Sequence, residues 1–349
     1  MPGQRSPRAR RRAVSLVTVA GLTVAAAGCS QVPNPVGPGA GSSSSPSPSS
    51  STSASAVSSS HPLAPLTGLP AASAAGAGKP AVALMVSGTS PQGLSSADVV
   101  YEEISSPVRY IAIYQSSQSA TVGPITSTNP TDREALAVLH PLVGYDGSAA
   151  PYFVRLLDST KVVDAGYTTH ASLYSSSTAG VTTTAQAISG AVRGTAPPAI
   201  FQYRGAETGS STLASTGVSR PGSVTLTIPG LGTQDWSFDS STDRWVLKSG
   251  GPSVQVANLV IQYVSYKTVN VNPKHGIVVS AASVTGTGRA EVFSGSLSGG
   301  SGGTAASGTW SKPHTTSLTN YFDSSGSPMA FSPGPTWILL APSGTKVGT

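Results

Sequence analysis

The amino-acid sequence predicts an α+β protein. A mixed α/β domain is expected over residues 61–218 and a β-rich domain over residues 219–349. Two observations carry this. Between Pro80 and Gly194, short apolar strand runs interleave with segments that open on or follow turn residues and read as helices. After "SRPGS" (Ser219 to Ser223) the chain changes to runs of Val, Ile, Thr, Tyr and Trp separated by Gly, Ser and Asp. A third observation sets the start of the fold: no apolar period is found from Ser30 to Ser60.

The chain begins with a targeting pattern. Arg5, Arg8, Arg10, Arg11 and Arg12 form a basic cluster, and "AVSLVTVAGLTVAAA" (Ala13 to Ala27) is an apolar run too short for a good membrane span. "AAGC" then matches a bacterial lipobox ending at Cys29, with Ala26 where leucine is usual. Residues 1–28 are therefore predicted to be a lipoprotein signal peptide, with Cys29 as the lipidated first residue of the mature chain. Arg11-Arg12 leaves export by the general or the twin-arginine route open. Cys29 is the only cysteine, so no internal disulfide can form. Residues 29–60 read as a disordered tether of Ser, Pro and Gly type, which cannot bury enough apolar surface to offset chain entropy. A coil of that length spans roughly 30 Å.

The formal charge is +6, from 20 basic and 14 acidic residues. Five of the arginines lie before Ala13, where there is no acid, so 15 basic and 14 acidic residues remain beyond it. The body thus lacks the clustered basic face that nucleic acid requires, and no nucleic acid is expected as a partner.

In the first domain "PAVALMVS" (Pro80 to Ser87) is a buried-strand run. "GLSSADVVYEEISSPVRYIAIYQSS" (Gly93 to Ser117) reads as a hairpin turning at Ser105 to Pro107. "NPTDREALAVLH" is predicted to be a helix, with Pro130 at its first position and Asp132 and Glu134 in its first turn. "PLVGYDG" is a short strand, "PYFVRLLD" a helix from Pro151, and "TTTAQAISGAVRG" a helix ending at Gly194. In the second domain eight segments from "SVTLTI" to "TWILLAP" read as strands, and Gly295 to Gly308 as a flexible loop.

Few motifs carry chemistry. Gly295-Ser296-Leu297-Ser298-Gly299 fits the nucleophile-elbow pattern but has no helix behind it. The histidines (His61, His140, His170, His275, His314) show no metal-ligand spacing, and no phosphate-binding or dinucleotide fingerprint is present. No metal or cofactor is expected. The hairpin is the exception in a chain with only 10% charged residues, because it holds Asp98, Glu102, Glu103 and Arg109. Each of its faces carries an acid. A turn centred near Ser105 and Ser106 sets Glu102 opposite Arg109, with Glu103 one step away. A cross-strand ion pair is the bland reading and a ligand-facing pair the sharp one. His170, in the loop "GYTTHASLY", is the best single histidine for polar work.

Several segments, "LTGLP", "PQGLSSADVVYE", "VRYIAIYQS", "VGPI" and "TNYFDSSGSPMAFSPGPTWILLAP", resemble the YerB-like lipoproteins of Gram-positive bacteria. The resemblance runs from about Leu63 to Pro342 and implies two domains of unknown function. It places Asp98, Tyr101 and Glu102 in the family's "ADIVYE"-like strand, Arg109 in the next strand, and His170 in a "PHNLYT"-like loop. This chain departs from the family in its "GPITSTNPTD" segment, which lacks two arginines, and in "GGPSVQV", which lacks a histidine and an acid.

Two functions remain open. The first is a lipid-anchored binding or scaffold protein at the outer face of the cytoplasmic membrane. Its partners would be that membrane, through Cys29, and cell-wall glycan or another envelope protein. The second is an envelope hydrolase or transferase using Glu102, Asp146 and His170, with Asp98, Glu102, Arg109 and His170 as ligand contacts. Convergence of these groups in one pocket separates the two.

Overall fold

The computed structural model describes residues 62–147, 160–205, 219–272, 274–296 and 301–349. The expected signal peptide, Cys29, the tether and the helix from Pro151 lie outside the described residues. Residues Ser58–Thr349 form one compact unit.

Strands dominate. The described residues hold twenty: β1 (Val82–Ser87), β2 (Val99–Glu103), β3 (Arg109–Tyr114), β4 (Thr121–Val122), β5 (Leu142–Gly144), β6 (Val163–Asp164), β7 (Tyr174–Ser177), β8 (Gly180–Thr184), β9 (Ser223–Ile228), β10 (Gly232–Asp239), β11 (Arg244–Ser249), β12 (Gln255–Val256), β13 (Asn258–Tyr263), β14 (Ser265–Asn272), β15 (Ile277–Ser283), β16 (Gly286–Ser294), β17 (Thr304–Lys312), β18 (Asn320–Asp323), β19 (Thr336–Ala341) and β20 (Lys346–Gly348). Among the described residues the α-helices are short: α1 (Ala74–Ala77), α2 (Pro130–Leu136) and α3 (Ala185–Ala191). The expected richness in helix is corrected here. "TTTAQAISGAVRG" begins as strand β8, because its β-branched threonines alternate in burial, and only Ala185 onward turns helical with Thr184 as N-cap. The loop expected at Gly295 to Gly308 is likewise shorter, since Thr304 to Gly308 pair with β16 as part of β17.

The main sheet has ten strands in the order β18-β17-β16-β13-β19-β2-β3-β1-β5-β6. It crosses both halves of the sequence. Strand β19, near the carboxyl end, pairs in parallel with β2, from Thr336↔Val99 to Leu340↔Glu103. The two halves therefore share one hydrogen-bonded sheet. Its central strands β1, β2, β3 and β19 are almost wholly buried on both faces, which explains their near-continuous apolar runs. One face holds Leu84, Val100, Tyr110 and Trp337, covered in part by the five-stranded sheet β12-β11-β10-β9-β20 through Trp236, Trp245 and Leu226. The other face holds Met85, Tyr101, Ile111 and Ile338, covered in part by α2 through Ala135 and Leu136.

The hairpin register differs from expectation by one residue. Glu103, not Glu102, lies opposite Arg109, and Glu102 lies opposite Tyr110. The connection runs from Ile104 to Val108 and is centred on Ser106. A shift of one residue exchanges the faces, so Glu102 and Arg109 fall on opposite sides of the sheet.

Candidate functional site

The four hairpin charges are buried, and each has its own surroundings. Arg109 lies on the α2 face. Its Nη1 donates to Glu103 Oε2 at 3.0 Å and to Asp132 Oδ1 at 2.7 Å, and its Nη2 donates to Asp132 Oδ2 at 2.7 Å. Nε and Nη2 also donate to the Ser127 carbonyl at 3.2 Å. Asp132 has a second task. Its Oδ2 accepts the Asn129 N–H at 2.7 Å, while Asn129 Oδ1 accepts the Thr131 N–H at 3.1 Å, which together cap α2. Glu103 Oε1 accepts the Thr131 hydroxyl and the Ala282 N–H of β15. Burial raises the Glu103 and Asp132 carboxyls, and the Arg109 charge pulls both back down. This network ties β2, β3, α2 and β15 together and leaves no donor of Arg109 aimed outward.

Glu102 sits on the opposite face and, among the described residues, pairs with no cation. Its Oε1 accepts Gln234 Nε2 at 2.7 Å and its Oε2 accepts Trp337 Nε1 at 2.8 Å. Fully buried, it is pushed up to about 7 by desolvation, against the pull of those two donors. Trp337 packs against Trp236 and Tyr110, with ring centroids 6.1 Å and 5.7 Å apart. Asp98 is buried at the start of β2. Its Oδ2 accepts the N–H groups of Gln115 and Ser116 at 2.5 Å and 2.8 Å, and its Oδ1 accepts the Ser116 hydroxyl. Desolvation raises its pKa, and these three donors oppose the shift.

The expected pocket of Glu102, Arg109, Asp146 and His170 is not assembled. Glu102 and Arg109 point to opposite faces of the sheet, and Asp146 and His170 follow the carboxyl ends of β5 and β6, with the Asp146 N–H donating to the Thr126 carbonyl at 2.9 Å, next to the Ser127 carbonyl that Arg109 binds. There Thr169 Oγ1 lies 2.9 Å from His170 Nδ1, Asp164 Oδ1 accepts the Gly166 N–H at 2.8 Å, and the Tyr174 phenol is raised chiefly by burial, with smaller contributions from the charges of Asp164 and Asp146. Ligands of open sheets with parallel strands bind at such strand ends.

A polar cleft of about 510 Å³ is lined by Lys79, Pro80, Ser116, Ser117, Gln118, Ser119, Gln186, Ser189 and Gly190. Its floor is Gln118. The Gln118 carbonyl accepts the Gln186 N–H at 2.8 Å, its Oε1 accepts the Ser189 hydroxyl at 2.8 Å, and its Nε2 donates to the Pro80 carbonyl at 3.3 Å. Gln115 braces one wall by donating to the carbonyls of Ala77 and Lys79, each at 3.0 Å. Asp98 fixes the other wall by holding Ser116. Lys79, Ser116, Ser117, Ser119 and Gln186 are exposed around the rim. The sequence reading missed this cleft because Ser and Gln give no motif. The one legible signal was Asp98, whose role is to position Ser116.

Among the described residues no group of three or more His, Cys, Asp or Glu is arranged to hold a metal ion, and no helix is long and apolar enough to cross a membrane.

The body is strand-rich, its two halves share one sheet, and its hairpin charges are held by internal partners. Residues 66–191 match the N-terminal domain, and residues 225–338 the C-terminal domain, of the protein of unknown function DUF3048. The chain belongs to this YerB-like family. Its fold is similar to the crystal structure of the YerB protein from Bacillus subtilis, with a TM-score of 0.63 and 18% identity, over 82% of this chain and 100% of that one. No curated protein matches the sequence.

Proposed function

We propose that this is an exported, lipid-anchored envelope protein that binds a polar ligand and performs no reaction. The lipid attaches at Cys29, and the ligand is cell-wall glycan or a hydrophilic segment of another envelope protein, presented at the outer face of the cytoplasmic membrane. The cleft carries this reading. Its rim offers hydroxyls, amides and one ammonium, which suit a polyhydroxylated ligand. The hairpin charges that a reaction would need are instead consumed in holding strands and α2 in place. A weaker second reading, an envelope hydrolase or transferase, is favoured only by Asp146 and His170 at the ends of β5 and β6.

Two measurements test it. Cys29→Ser is expected to release the protein to the medium or to leave it unprocessed; normal processing with membrane retention overturns the anchor. The chain from Ser58 is expected to sediment with purified cell-wall sacculi. Lys79→Ala with Gln186→Ala should weaken this about tenfold, as loss of two polar contacts predicts. Equal retention of the variant removes the cleft from the reading.

A further inference from the structure

Strands β14 and β15 form a separate two-stranded sheet. Its base is anchored. Tyr266 Oη donates to the Leu340 carbonyl at 2.7 Å and accepts the Ile104 N–H at 2.9 Å, and Asn129 Nδ2 donates to the Ser280 carbonyl at 2.9 Å. Ala282 N–H reaches Thr131 Oγ1 at 2.9 Å, so the base is joined to the Arg109 network. Beyond Ala281 and Lys267 no residue of the two strands is buried: β15 is mostly exposed there and β14 alternates between exposed and half-buried. A two-stranded ribbon is only marginally stable alone in water.

Its far end is apolar where water should favour polar residues. Ile277 and Val278 are 50% and 56% exposed, among the largest apolar exposures of the described residues. Lys274 and His275 stand beside them at the turn, and Lys267 lies farther up β14. From Ser265 to Ser283 the sequence has no Asp or Glu. Direction decides the occupant. Adjacent strand residues point to opposite faces, so Ile277 and Val278 project from the two sides of the ribbon. A flat partner surface covers one side only. A medium that surrounds the tip covers both.

We propose that the tip of this ribbon enters the interface of an anionic lipid bilayer. Ile277 and Val278 reach the boundary between headgroups and acyl chains. Lys274 extends to the phosphates along its aliphatic stem, and Lys267 adds attraction through the surface potential. Such a contact orients the body against the membrane. Its biological setting rests on the exported location proposed above, but its chemistry does not depend on lipidation.

The test uses the chain from Ser58, which contains both core clusters in one compact unit and lacks Cys29. Sedimentation is measured with vesicles of phosphatidylcholine alone and of equimolar phosphatidylcholine and phosphatidylglycerol. Binding to the mixed vesicles and weak binding to the neutral ones are expected. Ile277→Asp with Val278→Asp should lower the partition by about tenfold or more. Lys267→Ala with Lys274→Ala should lower it about fivefold or more and reduce its salt sensitivity. Unchanged melting temperatures show that both variants fold. The proposal is overturned if the mixed vesicles bind no protein, or if the aspartate variant binds as well as the parent. A salt-independent dimer abolished by the aspartate variant, without vesicle binding, overturns it in favour of a second copy of the chain. Because Cys29 is absent throughout, failure here leaves the anchor reading standing.

Discussion

Glu102 and Glu103 are neighbours in the chain, both fully buried, and they meet opposite environments. Glu103 faces α2 and shares the Arg109 guanidinium with Asp132. Glu102 faces the five-stranded sheet and accepts from the neutral donors of Gln234 and Trp337. One carboxylate therefore belongs to an ion network from which the loss of any member is costly. The other is a lone acid held near neutrality, whose protonation changes within an ordinary pH range. Two identical side chains, one residue apart, become a structural tie and a titrating group because a strand alternates its faces.

The largest effect is expected at Arg109. Arg109→Met keeps much of the volume but leaves Glu103 and Asp132 buried without a cation. Losing one partner of a buried pair costs about 3–5 kcal/mol, a large share of the roughly 5–15 kcal/mol that holds a typical domain together. The cap of α2 loses an oriented Asp132 at the same time. Chemical denaturation should show the midpoint fall sharply. A cost below about 1 kcal/mol would mean the network is as wet as a surface pair, and the contrast with Glu102 would collapse.

Glu102 gives the next effect, and its sign is fixed by its pKa. The folded value is about 7 against an ordinary 4.5. The folded protein thus holds an extra proton between those values. This contribution to stability is complete below the lower value, falls as pH rises through the window, and is gone above the upper one. Its size is about 3 kcal/mol. Glu102→Gln cannot titrate. It carries a constant cost, because its amide must set an N–H against one of two donors. Relative to the parent, the variant should gain stability as pH rises from about 4.5 to about 7. A stability difference that stays flat across that range would show Glu102 to be ionised throughout.

Much of the strand pattern is legible in the sequence, and the reasons are physical. Apolar runs such as "PAVALMVS" and "TWILLAP" mark strands buried on both faces, and Asn129-Pro130 marks the start of α2. The register of the hairpin was not legible to one residue, because it depends on how a five-residue connection closes. That single step decided whether Arg109 met Glu102 or Glu103. The partners of Glu102 were also hidden: Gln234 and Trp337 arrive from positions 132 and 235 residues away. The sharing of one sheet by the two halves has the same cause, since strand patterns reveal that β19 is buried but not which strand it joins. The cleft stayed silent because serine and glutamine are also ordinary surface residues.

The smallest effect comes from an ion pair outside the core and tests whether environment, not pairing, sets the scale. Arg289 Nη2 lies 3.1 Å from Glu291 Oε1, and its guanidinium carbon stands 4.0 Å from the Tyr263 ring centroid. Its side chain is 61% exposed, against 7% for Arg109. Water already solvates this charge, and Glu291, 17% exposed, keeps the Tyr263 hydroxyl at 2.9 Å when the arginine is removed. The pair and the ring contact each contribute up to about 1 kcal/mol at an exposed site. Arg289→Ala should therefore cost about 2 kcal/mol or less, and high salt should shrink the ion-pair part of that cost because exposed charges are screened. Arg109→Met should lose its several kcal/mol at low and high salt alike. If the Arg289 change proved as damaging as the Arg109 change, burial would not be what separates them. The different behaviour of Glu102 and Glu103 would then need a cause other than the faces on which they lie.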